Sequence, residues 1–154
     1  MFDAAPPPPP PSVAHLPRVE AVVELTPSAL RVGGVALPLE WIWIEGLDAT
    51  CFEVRTPART WLLFASNNMK KELWVSDIEA AVRSRLARLN RAYALRKGEY
   101  VFQEPRGGRG ALRCAGEWRN GETVGDVVLS FPDGSEYRGA AGKGIPHGVG
   151  TFVA

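Results

Sequence analysis

The chain has few residues that could form a metal or redox centre. Its 154 residues include only two cysteines, Cys51 and Cys114, and two histidines, His15 and His147. Neither cysteine has a second cysteine or a histidine at the short spacing that metal ligands require. We therefore expect two reduced thiols in an intracellular protein, with no metal and no other cofactor.

The chain also lacks an excess of charge and a long hydrophobic run. Eighteen lysines and arginines oppose seventeen aspartates and glutamates, so the formal net charge is +1. With no global field to attract a polyanion, we expect no nucleic-acid partner. No segment approaches the roughly 20 apolar residues of a membrane span, and the chain does not begin with a signal-peptide pattern. We expect a cytoplasmic protein whose membrane association is peripheral at most.

Proline is concentrated at the start of the chain. Residues 1–17 contain the run Pro6 to Pro11, which fixes φ and supplies no backbone donors. A polyproline II segment can be a ligand for an SH3 or WW groove. Because no lysine or arginine flanks the run closely, we prefer a disordered proline-rich leader.

Short β-branched segments separated by turns fill the first part of residues 18–97. Gly33-Gly34 supplies a hairpin turn, and Pro57-Ala58-Arg59 supplies another. The predicted strands cover residues 19–25, 29–32, 35–39, 41–44, 52–56 and 60–65. Strands of this length favour a compact antiparallel barrel or sandwich.

The periodicity becomes helical from Asn68 to about Ala94, where neither proline nor glycine occurs. Ser66, Asn67 and Asn68 are candidate N-caps. Lysines and arginines, Lys71 among them, mostly fall outside the predicted apolar stripe. The stripe consists of Trp74, Ile78, Ala81, Val82, Leu86 and Leu89.

A change of composition begins at Gly98. Residues 104–112, with the sequence EPRGGRGAL, combine three glycines, a proline and two arginines. We therefore predict a linker over residues 98–112. The arginines could contact an acidic partner, but a solvated loop is the preferred interpretation.

An internal repeat with an offset of 23 residues occupies residues 113–154. Asn120-Gly121 and Asp133-Gly134 predict hairpin turns. Glycine is required where the backbone has a positive φ or where two backbones approach closely. The glycines that we assign to the turns and contacts of the repeat are Gly116, Gly121, Gly125, Gly134, Gly139, Gly144 and Gly148. Three pairs of them recur in register, so two stacked hairpin units are predicted.

Two parts of the sequence resemble known families. VALPLEWIWIEGL (35–47), FEVRTPARTWLLFASN (52–67) and KKELWVSDIEAAV (70–82) resemble the later strands and closing helix of the pleckstrin-homology (PH) domain of the alsin family. GEWRNG, FPDGSEYRG and PHGVG resemble MORN repeats. The resemblance implies a mainly β, α+β fold: a partial PH-type antiparallel barrel whose N-terminal strands are missing, then one full and one partial MORN repeat. It also implies that Trp74 packs into the open corner of the barrel.

The repeats depart from the MORN pattern at several positions. Cys114 replaces a tyrosine, Val124 a histidine and Val127 a glycine in the first repeat, and Ala141 replaces a tryptophan in the second. Because such units rarely bury a face alone, the exposed edge is a candidate surface for self-association. The residues that we expect to support repeat stacking and partner contact are Trp118, Phe131, Tyr137 and His147.

The resemblance implies a function without catalysis in this chain. Alsin-type proteins are guanine-nucleotide exchange factors for an early-endosomal Rab-type GTPase, but no exchange domain and no catalytic constellation is recognisable here. We expect a scaffolding and self-association fragment that partners with itself or a full-length family member, and indirectly with the GTPase. The alternative is a phosphoinositide-binding module, although the basic loop of such PH domains is not found.

Overall fold

The computed structural model of the chain describes residues 20–102 and 110–154. The proline-rich leader, with His15, and most of the segment 104–112 lie outside these residues. The described part contains three antiparallel sheets, one long helix and one short 3-10 turn. The mainly β, α+β prediction is therefore confirmed.

The first sheet is a three-stranded meander in which β2 lies in the centre. The turn at Gly33-Gly34 has φ values of 56° and 89°, so the predicted hairpin is confirmed. The first strand begins four residues later than predicted, at Val23 rather than Val19. The strands are β1 (Val23–Leu25), β2 (Ala29–Val32) and β3 (Val35–Pro38).

A second meander follows after a short 3-10 turn, Leu39–Trp41. This turn occupies the start of the strand that we predicted over residues 41–44, and it moves the chain from one sheet to the next. The strands are β4 (Trp43–Gly46), β5 (Cys51–Arg55) and β6 (Thr60–Phe64), with β5 in the centre.

Helix α1 (Asn68–Arg88) begins at the predicted cap, where the Asn67 side chain accepts a hydrogen bond of 2.8 Å from the Lys70 backbone N–H. It ends six residues before Ala94, because Asn90 adopts a positive φ of 55° that a helix cannot continue through. The predicted stripe is largely confirmed: Ile78, Val82 and Leu86 are buried, Trp74 and Ala81 are half-buried, and Leu89 is exposed.

Lys71 corrects the predicted orientation of the polar helix face. We expected it outside the apolar stripe, but it is buried and its ammonium group donates to the Asp48 carbonyl at 2.8 Å. The same ammonium lies 2.8 Å from the Glu72 carboxylate. A long lysine side chain can bury its stem and still satisfy its charged end.

The third sheet has five strands in the order β11-β10-β9-β8-β7. Residues 98–101, which we assigned to the linker, belong to its first strand. Gly98 lies directly opposite Gly116 in the pairing of β7 with β8, so this glycine continues the strand and does not break it. The strands are β7 (Leu95–Val101), β8 (Arg113–Arg119), β9 (Glu122–Ser130), β10 (Glu136–Gly142) and β11 (Ile145–Val153).

The 23-residue repeat is present in the backbone geometry. The β8–β9 turn has φ values of 56° and 84° at Asn120 and Gly121, and the β10–β11 turn has 54° and 79° at Lys143 and Gly144. Cα pairing has the same offset, since Cys114 pairs with Leu129 and Tyr137 pairs with Phe152. Each hairpin also has one register shift, between Ala115 and Glu117 in the first and between Gly139 and Ala141 in the second.

Six of the seven repeat glycines have a positive φ, as their predicted role requires. The seventh, Gly116, is needed for space, because a Cβ there would lie 2.7 Å from a methyl carbon of Val127. The six are Gly121, Gly125, Gly134, Gly139, Gly144 and Gly148.

One short segment contributes to two hydrophobic cores. Leu39 and Ile42 are buried in the first core, between the two meanders and α1. Trp41 and Trp43 are buried in the second core, against the five-stranded sheet. Residues 39–43 thus place side chains in both cores, and this connects the five-stranded sheet to the first part of the chain.

Candidate interaction surface

Trp118, the first of the predicted contact residues, lies in the interior. Its side chain is 1% exposed, and its ring centroid lies 4.8 Å from that of Trp41 in an edge-to-face arrangement. Such pairs add to the stabilisation that burial alone provides. Trp118 therefore stacks on the first part of the chain, and its ring is not available to a partner in the folded state.

Tyr137 is also buried, at 3% exposure. Its hydroxyl donates a hydrogen bond of 2.7 Å to the Ala140 carbonyl oxygen, at the register shift of the second hairpin. The His147 carbonyl oxygen lies 3.3 Å from the same hydroxyl. Tyr137 thus holds the irregular part of the β10–β11 pairing in place.

Phe131 and His147 lie nearer the surface. Phe131 is half-buried, and its ring centroid is 5.9 Å from that of Phe152. The Phe152 ring also lies 5.0 Å from the ring of Tyr137. His147 is exposed, with its ring beside Gly142. Of the four predicted residues, the structure brings Phe131 and Tyr137 together around Phe152, while Trp118 belongs to the core beside Trp41.

Strand β11 forms the outer edge of the five-stranded sheet, which we call the terminal edge. Within residues 20–102 and 110–154, no strand pairs with its outer side. Val149 is 90% exposed and Phe152 is 62% exposed. Leu129, the counterpart of Phe152 in the first repeat, is fully buried because β10 pairs with β9 at that position. Phe152 is therefore placed where a further strand would cover it.

Val149 and Phe152 were not among the residues predicted from sequence. The 23-residue offset contained the necessary signal, since it aligns Phe152 with Leu129. Burial of Leu129 could not be known until the sheet order was known.

A second feature that the sequence did not reveal is the buried Arg96 on β7. Its guanidinium donates to the carbonyl oxygens of Tyr93, at 3.1 Å, Glu40, at 3.3 Å, and Ile42. It also lies over the Trp43 ring, 4.2 Å from the centroid. Burial lowers the pKa of Arg96 to about 10, so the group remains a cation at neutral pH. Arg96 therefore connects β7 of the five-stranded sheet to residues 40–42, between the two meanders.

The described residues offer little for chemistry. Cys51 and Cys114 are both buried and form no disulfide. Burial raises the pKa of Cys114 to about 12, so its thiol remains protonated and is a poor nucleophile at neutral pH. In the part of the chain that the structure describes, no group of histidine, cysteine and acidic residues could hold a metal ion.

Opposite charges alternate on the solvent face of the five-stranded sheet. Lys97 lies directly opposite Glu117, and Arg119 lies directly opposite Glu122. Each of these two pairs places opposite charges next to each other on this face. None of the helices in residues 20–102 and 110–154 has the length and apolar character needed to cross a membrane.

Comparison with known proteins identifies one similar sequence. The alsin homolog of Drosophila melanogaster is 25% identical to this chain over 99 residues. The match covers 63% of this chain and 6% of the fly protein, so the chain corresponds to a small part of that relative. No family model and no solved structure matches the chain.

Proposed function

We propose that the chain is a non-catalytic scaffolding and self-association fragment of an alsin-like guanine-nucleotide exchange factor. The observation that carries this proposal is the terminal edge, where β11 has no partner strand on its outer side within the described residues and presents exposed apolar side chains. An unpaired strand presents a row of backbone donors and acceptors that a second chain can complete.

The two parts of the fold support the domain assignment. Six strands precede α1 in the described residues, and Trp74 packs on the first core as the PH resemblance implies. We assign residues 18–97 to a PH-like domain and residues 113–154 to MORN repeats. Strand β7 begins within the PH-like range, at Leu95, and belongs to the same five-stranded sheet as the repeat strands.

In this proposal the fragment functions by binding other protein chains. It binds a second copy of itself or a full-length family member in the cytoplasm, with peripheral association at early endosomes. It influences an early-endosomal Rab-type GTPase indirectly. The similarity to an alsin homolog supports this family context.

Self-association is tested by sedimentation velocity over a series of concentrations. Lysine at both Val149 and Phe152 places charge on the terminal edge and should shift the chain toward monomer, since edge lysines oppose strand pairing. The matched control is Val101→Lys, an exposed valine on β7 at the opposite edge of the same sheet. A dimer constant that is unchanged by the double variant, or weakened equally by the control, would contradict the proposal.

The phosphoinositide alternative makes a different prediction. A membrane module should sediment with vesicles containing anionic lipid at moderate salt, and the scaffold should remain in the supernatant. The paired charges on the solvent face favour the scaffold. Strong, salt-sensitive vesicle binding would reverse this preference.

A further inference from the structure

The second repeat lacks the large side chain that fills the same position in the first. Trp118 pairs with Thr123, and Ala141, 23 residues later, pairs with Pro146 at the equivalent point of the second hairpin. Both side chains are buried on the same face of the sheet and belong to the second core. The first repeat therefore places an indole where the second places only a methyl group.

An open cavity of about 340 Å³ lies at this position. Its floor includes the buried residues Ala141, Trp118 and Phe102, and Lys143 and His147 are also among the residues that line it. The volume is at the lower end of the range for small-molecule pockets, roughly 300–1,000 Å³. A mostly apolar lining with a few polar groups is the usual composition of such pockets.

We propose that this cavity binds an indole ring. The first repeat supplies the template, because Trp118 fills the corresponding space and packs edge-to-face on Trp41. In the second repeat the floor residue Phe102 offers an aromatic surface for a similar contact.

The proposal does not depend on self-association, because the cavity lies on the buried face near the hairpin turns and Val149 and Phe152 do not line it. An indole ring can come from a free indole-type compound or from a tryptophan side chain of a partner protein. Indole and N-acetyl-tryptophanamide distinguish these sources. Tighter binding of the amide indicates a peptide, and binding of indole alone indicates a free compound.

The test is a titration of the full chain with indole, followed by backbone amide NMR. We expect saturable shifts at Thr123, Gly142 and Gly144, which line the cavity. Ala141→Trp should fill the space from within and weaken binding by at least about tenfold, equivalent to roughly 1.4 kcal/mol. Ala141→Leu fills it partly, with less risk of overpacking, and should weaken binding by a smaller factor.

The matched control is Ala140→Trp. Ala140 precedes Ala141 on β10, is half-buried and does not line the cavity. This variant should bind indole as the unaltered chain does. Thermal unfolding establishes which variants are folded. No saturable shift in the unaltered chain, or an unchanged dissociation constant in a folded Ala141 variant, would overturn the proposal.

Discussion

The ring of Tyr137 lies directly against the backbone of Gly150, where an added Cβ would come within 2.3 Å of the ring. The equivalent pair in the first repeat is Cys114 and Val127. Both residues depart from the MORN pattern. In the first repeat the smaller Cys114 stands in place of the tyrosine, and the larger Val127 stands in place of the glycine on the neighbouring strand. Since the interior is densely packed, such paired changes preserve volume better than either change alone.

This exchange predicts strong coupling between the two positions. Gly150→Val alone should destabilise the chain by about 1–3 kcal/mol, because the valine overlaps the Tyr137 ring. Adding Tyr137→Cys recreates the pair of the first repeat and should restore part of that loss, even though the hydroxyl bond to Ala140 is removed. Urea unfolding of the two single variants and the double variant measures the coupling. Additive free energies of unfolding would refute it.

Trp41 should stabilise a sheet to which it does not belong. Trp41→Ala removes a buried ring that packs on Trp118 and Tyr100, so we expect a loss of about 3–5 kcal/mol. Hydrogen exchange should accelerate at the amides of β8 and β9. The control is Trp61→Ala, which removes a half-buried ring from the first core and should accelerate exchange first in the meanders and α1. The same exchange pattern in both variants would contradict this division.

The buried thiol of Cys114 predicts a dependence of stability on alkaline pH. Burial raises its pKa from 9.0 to about 12, so the folded state holds this proton more tightly than the unfolded state. The resulting stabilisation is complete below pH 9 and is lost as pH rises toward 12. In Cys114→Ala this part of the alkaline loss should be absent. Urea unfolding at about pH 8 and about pH 10 compares the two chains, and equal losses would show that Cys114 is not the cause.

The turn between β9 and β10 contains a carboxylate with a lowered pKa. The Ser135 hydroxyl donates to Asp133 at 2.6 Å and the Ser135 backbone N–H donates at 2.9 Å, and these bonds hold the pKa of Asp133 below its usual 3.8. Stability from this group is present above the unfolded pKa and is lost as pH falls through the folded value. An NMR titration should show the pKa of Asp133 rising in Ser135→Ala. The same midpoint in both chains would rule out the hydroxyl as the cause.

Hairpin geometry could be predicted because it depends on local rules. The sequence marks Gly121 and Gly144 as turn residues, and both have the expected positive φ. Helix α1 was predicted for the same reason, since its cap at Asn67 and its apolar stripe depend only on neighbouring residues. The end of the helix was misplaced and β7 was not predicted, because Asn90 and Gly98 carry ambiguous local signals.

The sequence by itself determined the 23-residue repeat and its turns, which follow from local backbone preferences and spacing. Only the tertiary structure decided that Trp118 packs on Trp41 and is closed to partners, and that Arg96 binds carbonyl oxygens more than fifty residues away. It also decided that the exchange of Trp118 for Ala141 leaves a cavity. These features depend on which apolar face packs against which core. The alternation of apolar and polar residues along a strand shows that the strand has two faces, but it does not show what each face will contact.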